Sequence, residues 1–318
     1  MPSLSFTETE GAIPISIIKG GKYNKKILFL NAEDNKDEPI GKKEINALTY
    51  EKEFKSLKIK PQERIKLINK FNEALHKNAN ADDLLEKEEI KSLYNKIANK
   101  EKADKSIILP SDSSFQLIPS NDPNKRQVYY IAGASGSGKS YIARGLAEYY
   151  KKFFPDREIY LISKLDYDET LDSMKIGKPK RINVQTLIDD PIDMKELTDS
   201  LIIFDDYDCF EGNTGKIVQQ LIDDIAITGR HTNTSMLCLT HYISNYKKTR
   251  LLLNECQYMV LYPQATSYHQ LCYLLKNHIG LSKQDCLELK KLGRWICIAK
   301  NYPQYLISEH SAKILHTD

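Results

Sequence analysis

Residues 127–144 read QVYYIAGASGSGKSYIAR. An apolar run stops at Gly133, small and polar residues follow, and a lysine, a serine and an apolar-periodic stretch come next. Gly133, Ala134, Ser135, Gly136, Ser137, Gly138, Lys139 and Ser140 match the phosphate-loop pattern G-x-x-x-x-G-K-[ST] at every fixed position. The residue types follow from the chemistry. Glycines let the backbone fold tightly, so that its N–H groups point inward around an anion. The helix that follows offers unpaired N–H groups and the positive end of its dipole to the same anion. The spacing predicts a nucleotide site in which Lys139 reaches the β- and γ-phosphates and the Ser140 hydroxyl ligates Mg²⁺, with Tyr141 next in line beside the nucleotide. An incidental Gly/Ser turn is the plain alternative, but a strand before the loop and a helix after it are the context a true site requires.

About 60 residues on, LIIFDD (201–206) has the pattern of a buried parallel strand that ends in two carboxylates. Asp205 is the candidate Mg²⁺ partner. Asp206 stands where a carboxylate can polarise the attacking water and take its proton. Asp208 and Glu211 follow closely and compete for that role. The third signal is GRHTNTSMLCLTHY (229–242). Gly229 closes a helix, and the strand SMLCLT leads to Thr240 and His241. In a RecA-like sheet that strand lies beside the phosphate loop, so Thr240 and His241 are candidates to sense the γ-phosphate. Arg230 is one of only eight arginines in the chain. It has two readings: a finger acting on a neighbouring subunit's nucleotide, or a basic residue satisfying the C-terminus of its own helix.

The surroundings fit an α/β fold. QVYYIAG, EIYLISK, LIIFDD, SMLCLTH and YMVLYP alternate with helical stretches, the pattern of a mainly parallel sheet between helices. WICIAKNYPQYLISEH is expected to add a closing antiparallel pair. This P-loop domain is expected over 106–318. Ahead of it, residues 1–45 form a small β-rich segment, with a hairpin expected at Gly20–Gly21. Residues 46–105 are a charged helical hairpin or spacer, with Ile65, Leu67, Ile68, Phe71 and Leu75 on one expected face of the first helix and a second helix expected from 81. At 41% hydrophobic and 28% charged residues the composition is that of a globular chain. No apolar stretch approaches the roughly 18 residues needed to span a bilayer, and no membrane partner is expected. The six cysteines occur singly without a CxxC pair, which suits buried thiols in a reducing compartment. A net charge of +3 does not by itself argue for nucleic acid. Two basic clusters, KIGKPKR (175–181) and NYKKTR (245–250), are candidates for phosphate-backbone contact, with solvated surface as the alternative.

The loop AGASGSGKS, the LIIFDD strand and the GRHTNTS-strand-TH segment together resemble the genome-packaging ATPases of nucleocytoplasmic large DNA viruses, in the FtsK–HerA group of P-loop motors. The resemblance covers about 125–265, and Arg230, Asn233 and Ser235 map onto its more specific stretch. It implies ATP and Mg²⁺ as cofactors and double-stranded DNA as the substrate moved. It further implies a homo-oligomeric ring, a capsid partner, and a setting in host cytoplasm, viral factory or virion. Two departures stand out. Thr240-His241 replaces the glutamine that commonly closes the sensor strand, and residues 1–120 match nothing in the group. The chain has no NKxD guanine-reading motif and no LSGGQ signature, which argues against a GTPase and an ABC-type ATPase. Two other readings stay open: a different DNA-dependent ATPase (helicase or replication factor), and a binding module switched by ATP with negligible turnover.

Overall fold

The computed structural model describes residues 2–32, 50–57, 59–76, 87–103 and 106–315. The expected boundary near residue 45, and the start of the second expected helix at 81–86, lie outside the described residues. The first apolar runs form antiparallel strands: β1 (Ser3–Ser5), β2 (Ile13–Lys19) and β3 (Ile27–Asn31). The hairpin turns at Gly20 and Gly21, both with positive φ (82° and 58°). A Cβ at Gly20 would come within 2.5 Å of the Asp112 carbonyl oxygen, so the turn also needs glycine for close approach.

Among the described residues three helices come next, α1 (Glu51–Ser56), α2 (Pro61–His76) and α3 (Glu88–Ala103). They close on their own core, in which Phe54, Leu67, Ile68 and Phe71 meet Leu93, Tyr94 and Ile97. Phe71 stacks edge-on against Tyr94 at 5.1 Å. Ile65, expected on this face, is 61% exposed. At 3.6 residues per turn it sits about 120° around the helix from Phe71, whereas Ala74 falls inside the stripe and is buried.

The chain then joins two sheets. β4 (Ile107–Ile108) enters the large sheet, and β5 (Ser114–Leu117) pairs with β2, giving a four-stranded sheet in the order β1-β3-β2-β5. The large sheet contains β6 (Val128–Ala132), β7 (Ile159–Ser163), β8 (Lys180–Arg181), β9 (Leu201–Asp205), β10 (Ser235–Thr240) and β11 (Tyr258–Leu261) as a parallel set. β12 (Ile296–Ala299), β13 (Tyr305–Ser308) and β14 (Ser311–Ile314) extend it antiparallel, so the closing pair is present and β14 adds a third strand to it. The strand order is β4-β14-β13-β12-β11-β6-β10-β9-β7-β8.

Apart from the short end strand β8, the parallel strands are buried on both faces, which is why they read as continuous apolar runs. Alternate residues enter opposite cores. Tyr129, Ile131, Leu237 and Leu239 face one core with α4 (Lys139–Phe153), and Tyr130, Ala132, Met236 and Cys238 face the other. The short helices α5 (Glu169–Asp172) and α6 (Thr186–Asp189) come next along the chain. The second core is roofed by α7 (Gly212–Thr228), α8 (Tyr246–Glu255), α9 (Tyr268–Leu274) and α10 (Lys283–Leu289). The first core is shared with the N-terminal sheet: Leu4, Ile18, Leu28, Phe115 and Leu117 pack in the same cluster as Ile142, Leu146 and Tyr150 of α4. No helix among the described residues is long and apolar enough to cross a membrane.

Candidate functional site

The loop from Gly133 to Ser140 leaves the end of β6 and opens α4. Gly136 and Gly138 adopt φ of 72° and 109°, conformations that side-chain-bearing residues rarely take. At Gly133 a Cβ would lie 2.5 Å from Tyr262 and 2.7 Å from Ser137 Oγ, so the loop folds tightly over β6 only with glycine there. Ser137 Oγ is buried with no protein partner. The first-turn amides of α4 have no intrahelical acceptor. A curled backbone, an orphaned hydroxyl and free helix amides fit an anionic ligand of the phosphate type.

The Lys139 side chain is buried and stretched across the site. Its Nζ donates to Gly133 O at 3.1 Å and faces Asp206 Oδ1 at 3.3 Å. Phosphate loop and acidic tip are not on neighbouring strands. β10 runs between β6 and β9, pairing Thr240 with Ala132 and Cys238 with Phe204, and Gly133 N donates to Thr240 O at 3.1 Å. One short strand therefore fixes both halves of the site.

Asp205 ends β9 almost fully buried and accepts from Ser163 Oγ at 3.0 Å. Burial, then the neighbouring Asp206 carboxylate, pushes its pKa up to about 6. A carboxylate held that reluctantly suits a cation close by. Asp206 turns the chain at φ 45°, a left-handed conformation that Asp tolerates better than most residues. That turn brings its two oxygens to Lys139 on one side and to His241 Nε2, 3.7 Å away, on the other. Asp208 serves His241: its carboxylate accepts from His241 N at 3.3 Å and lies 3.3 Å from Nδ1. Glu211 is exposed ahead of α7 and lines a different cleft, with Lys216 and Lys248. Of the two sensor candidates, Thr240 is fully buried, and its Oγ1 accepts from Tyr242 N at 3.1 Å. His241 is the one that faces the carboxylates.

Arg230 is elsewhere. It precedes β10, whereas the loop follows β6, so in a parallel sheet the two lie at opposite ends of the strands, separated by roughly 20 Å. It does not cap its own helix: Arg126 donates to Ile225 O and Ala226 O at the end of α7. Asn233 and Ser235 knit that end of the strands together. Asn233 Nδ2 donates to Pro123 O at 2.7 Å and Asp199 Oδ1 at 2.6 Å, and Ser235 Oγ accepts from Gln127 N at 3.1 Å. Tyr141 is exposed and points to the N-terminal sheet, where its hydroxyl accepts from Lys19 Nζ at 3.4 Å.

The basic clusters are partly committed to internal pairs. Arg181 grips Asp172 with two nitrogens and Lys180 pairs with Glu158 at 3.0 Å, leaving Lys175 and Lys178 exposed. Lys248 lies over the Tyr242 ring. Arg294 went unnoticed in the sequence. Coming from the loop before β12, it donates to Ser137 O at 3.0 Å and Gly136 O at 3.1 Å, clasping the phosphate loop from outside. Its only signal is that an arginine in an arginine-poor chain stands directly before a strand.

Uncharacterized protein V3 of Sputnik virophage is 34% identical over 221 residues, covering 68% of this chain and 86% of V3. Solved structures with some likeness include the genome packaging NTPase B204 from Sulfolobus turreted icosahedral virus 2. It is 14% identical with a TM-score of 0.40, over 62% of this chain and 100% of that one. The cytoplasmic domain of the Thermomonospora curvata type VII secretion ATPase EccC is 16% identical with a TM-score of 0.42, over 58% of this chain and 25% of its own. The pCW3 conjugation coupling protein TcpA is 12% identical with a TM-score of 0.36, over 96% and 78%. Likenesses that low assign no activity to this chain. No protein-family model matches it.

Proposed function

The chain belongs to the same family as protein V3 of Sputnik virophage, and from the site it builds we propose that it is an ATP-hydrolysing motor that drives double-stranded DNA into a capsid as a homo-oligomeric ring. The observation that carries the nucleotide part is the convergence of Lys139 Nζ on Gly133 O and Asp206 Oδ1, inside a glycine loop that opens a helix. In this reading the triphosphate lies along the loop amides, and Lys139 exchanges its present partners for β- and γ-phosphate oxygens. Ser140 and Asp205 would hold Mg²⁺, which offsets negative charge on those oxygens. Released from Lys139, Asp206 Oδ1 accepts the proton of the attacking water. His241, oriented by Asp208, stands against Asp206 Oδ2 and reports whether the γ-phosphate is present. Arg230 lies too far from its own site to act there, so its role is on a neighbouring subunit's nucleotide. The DNA part rests on the motif resemblance and on the exposed Lys175 and Lys178.

The test is ATP turnover over a range of protein concentrations, with long duplex DNA, with single strands and without DNA. Turnover should rise with duplex and with concentration. It should fall by about 10²-fold or more in Lys139→Ala, and recover partly when Lys139→Ala and Arg230→Ala chains are mixed. Stimulation by single strands alone would favour a helicase-type ATPase. A second reading draws on Asp206 being engaged from both sides: the chain binds ATP as a switch and hydrolyses it negligibly. Tight binding with no turnover under any of these conditions would support that reading instead.

A further inference from the structure

The phosphate loop does not stand alone. A cleft of about 430 Å³ runs along α4 from Tyr141, the residue directly after the loop, bounded by Tyr141 and Gly145 on the helix, Gln116 of β5 and Lys19 of β2 on the N-terminal sheet, and Trp295 and Glu309 beyond. We propose that this cleft is the subsite for the adenine of the nucleotide, with the Gln116 side-chain amide reading the base edge. The proposal rests on the nucleotide reading above and gives the N-terminal sheet a part in it.

Three observations carry it. The first is direction. Asp205, Asp206 and His241 lie on the β9–β10 side of β6, so the γ-phosphate end faces that way. Arg294 and Trp295 come from the opposite side, through β12, and Arg294 holds the loop carbonyls of Gly136 and Ser137. A nucleotide stretched over the loop with its γ end at Asp206 must point its base toward β12. Glu309 ties the two parts together, accepting from Arg294 N at 3.2 Å while lining the cleft.

The second is reach. Tyr141 and Gly145 stand two and six residues past Lys139, roughly 3 and 9 Å along the helix. That matches the distance from a phosphate to the far edge of its base. Tyr141, 61% exposed, offers its ring at the mouth of the cleft.

The third is chemistry. Gln116 Oε1 is buried without a hydrogen-bond partner, an arrangement native proteins keep mainly where a ligand or water completes it. Its Nε2 occupies the space beside α4 that a side chain at Gly145 would fill, since a Cβ there would come within 2.8 Å. An amide presents one acceptor beside one donor, and adenine's N6–H₂ and N7 present the complement. Guanine offers two acceptors, O6 and N7, on the same edge and cannot pair with both halves of the amide.

The experiment is calorimetric titration of the full chain, in Mg²⁺, with ATP, GTP and inorganic tripolyphosphate. The unaltered chain should prefer ATP to GTP by about tenfold or more. Gln116→Leu should weaken ATP binding by about tenfold, to the GTP level, and leave tripolyphosphate within about twofold, which also shows that the variant is folded. Gly145→Ala, which pushes the amide aside, should do the same. Equal affinity for ATP and GTP, or a Gln116→Leu chain with an unchanged ratio of ATP to tripolyphosphate affinity, would overturn the adenine subsite while leaving the phosphate loop standing. ATP binding that survives Lys139→Ala would instead overturn the phosphate-loop reading, and the subsite with it.

Discussion

At the start of β10, Asn233 is bonded to Pro123 and Asp199, Ser235 to Gln127, and Arg157 pairs with Asp199 at 3.0 Å. At the other end of the same strands, Asp205 is buried beside a second carboxylate, Lys139 spans a gap to Asp206, and Ser137 Oγ has no partner. One end of the strands is closed by polar groups that satisfy one another. The other holds groups whose best partners are absent from the chain. Proteins tolerate such frustration where a ligand relieves it, and the contrast separates residues that hold the sheet from residues that use it.

The largest way to break the contrast is at Asp205. Its folded-state pKa, about 6, lies above the ordinary 3.8. A raised carboxyl costs nothing while it is protonated in both states, below about pH 4, and costs the fold its full amount once pH has risen through about 6. Asp205→Asn should therefore stabilise the metal-free chain by about 2–3 kcal/mol at pH 7–8, keep the Ser163 hydrogen bond, and show no gain near pH 3.5. Urea midpoints across pH would read it, and a pH-independent effect would count against the burial argument. Next comes Asn233→Ala. Losing two hydrogen bonds at a residue with φ 52° should cost about 2 kcal/mol and leave nucleotide affinity unchanged. Smallest is Arg230→Ala, whose exposed side chain should move stability by less than about 0.5 kcal/mol while lowering turnover in the assembled state. A large loss of stability there would mean that Arg230 belongs with the residues that hold the sheet.

The loop and acidic tip of the candidate site were legible because their geometry is local. Glycine spacing, a lysine at a helix start and two acids closing an apolar strand are short patterns, and the structure brings Lys139, Asp206 and His241 together. The competition among Asp206, Asp208 and Glu211 was not legible. All three follow one strand within six residues, and only the φ of 45° at Asp206 decides which carboxylate turns toward Lys139. Arg294 and Gln116 were out of reach for a different reason. Arg294 lies 157 positions after the carbonyl it clasps, and Gln116 sits in a strand that joins the N-terminal sheet while its side chain abuts α4.

By itself, the amino-acid sequence determined the alternation of strands and helices, the phosphate loop and the acidic strand, because each is written in neighbours a few residues apart and governed by backbone conformation and burial period. Only the tertiary structure decided that β10 runs between β6 and β9, that β2 and β5 pack into the core beneath α4, and that Arg230 stands at the opposite end of the strands from Lys139. Those outcomes depend on which apolar faces bury one another across more than a hundred residues of chain, a choice made by packing as a whole and not by any single stretch.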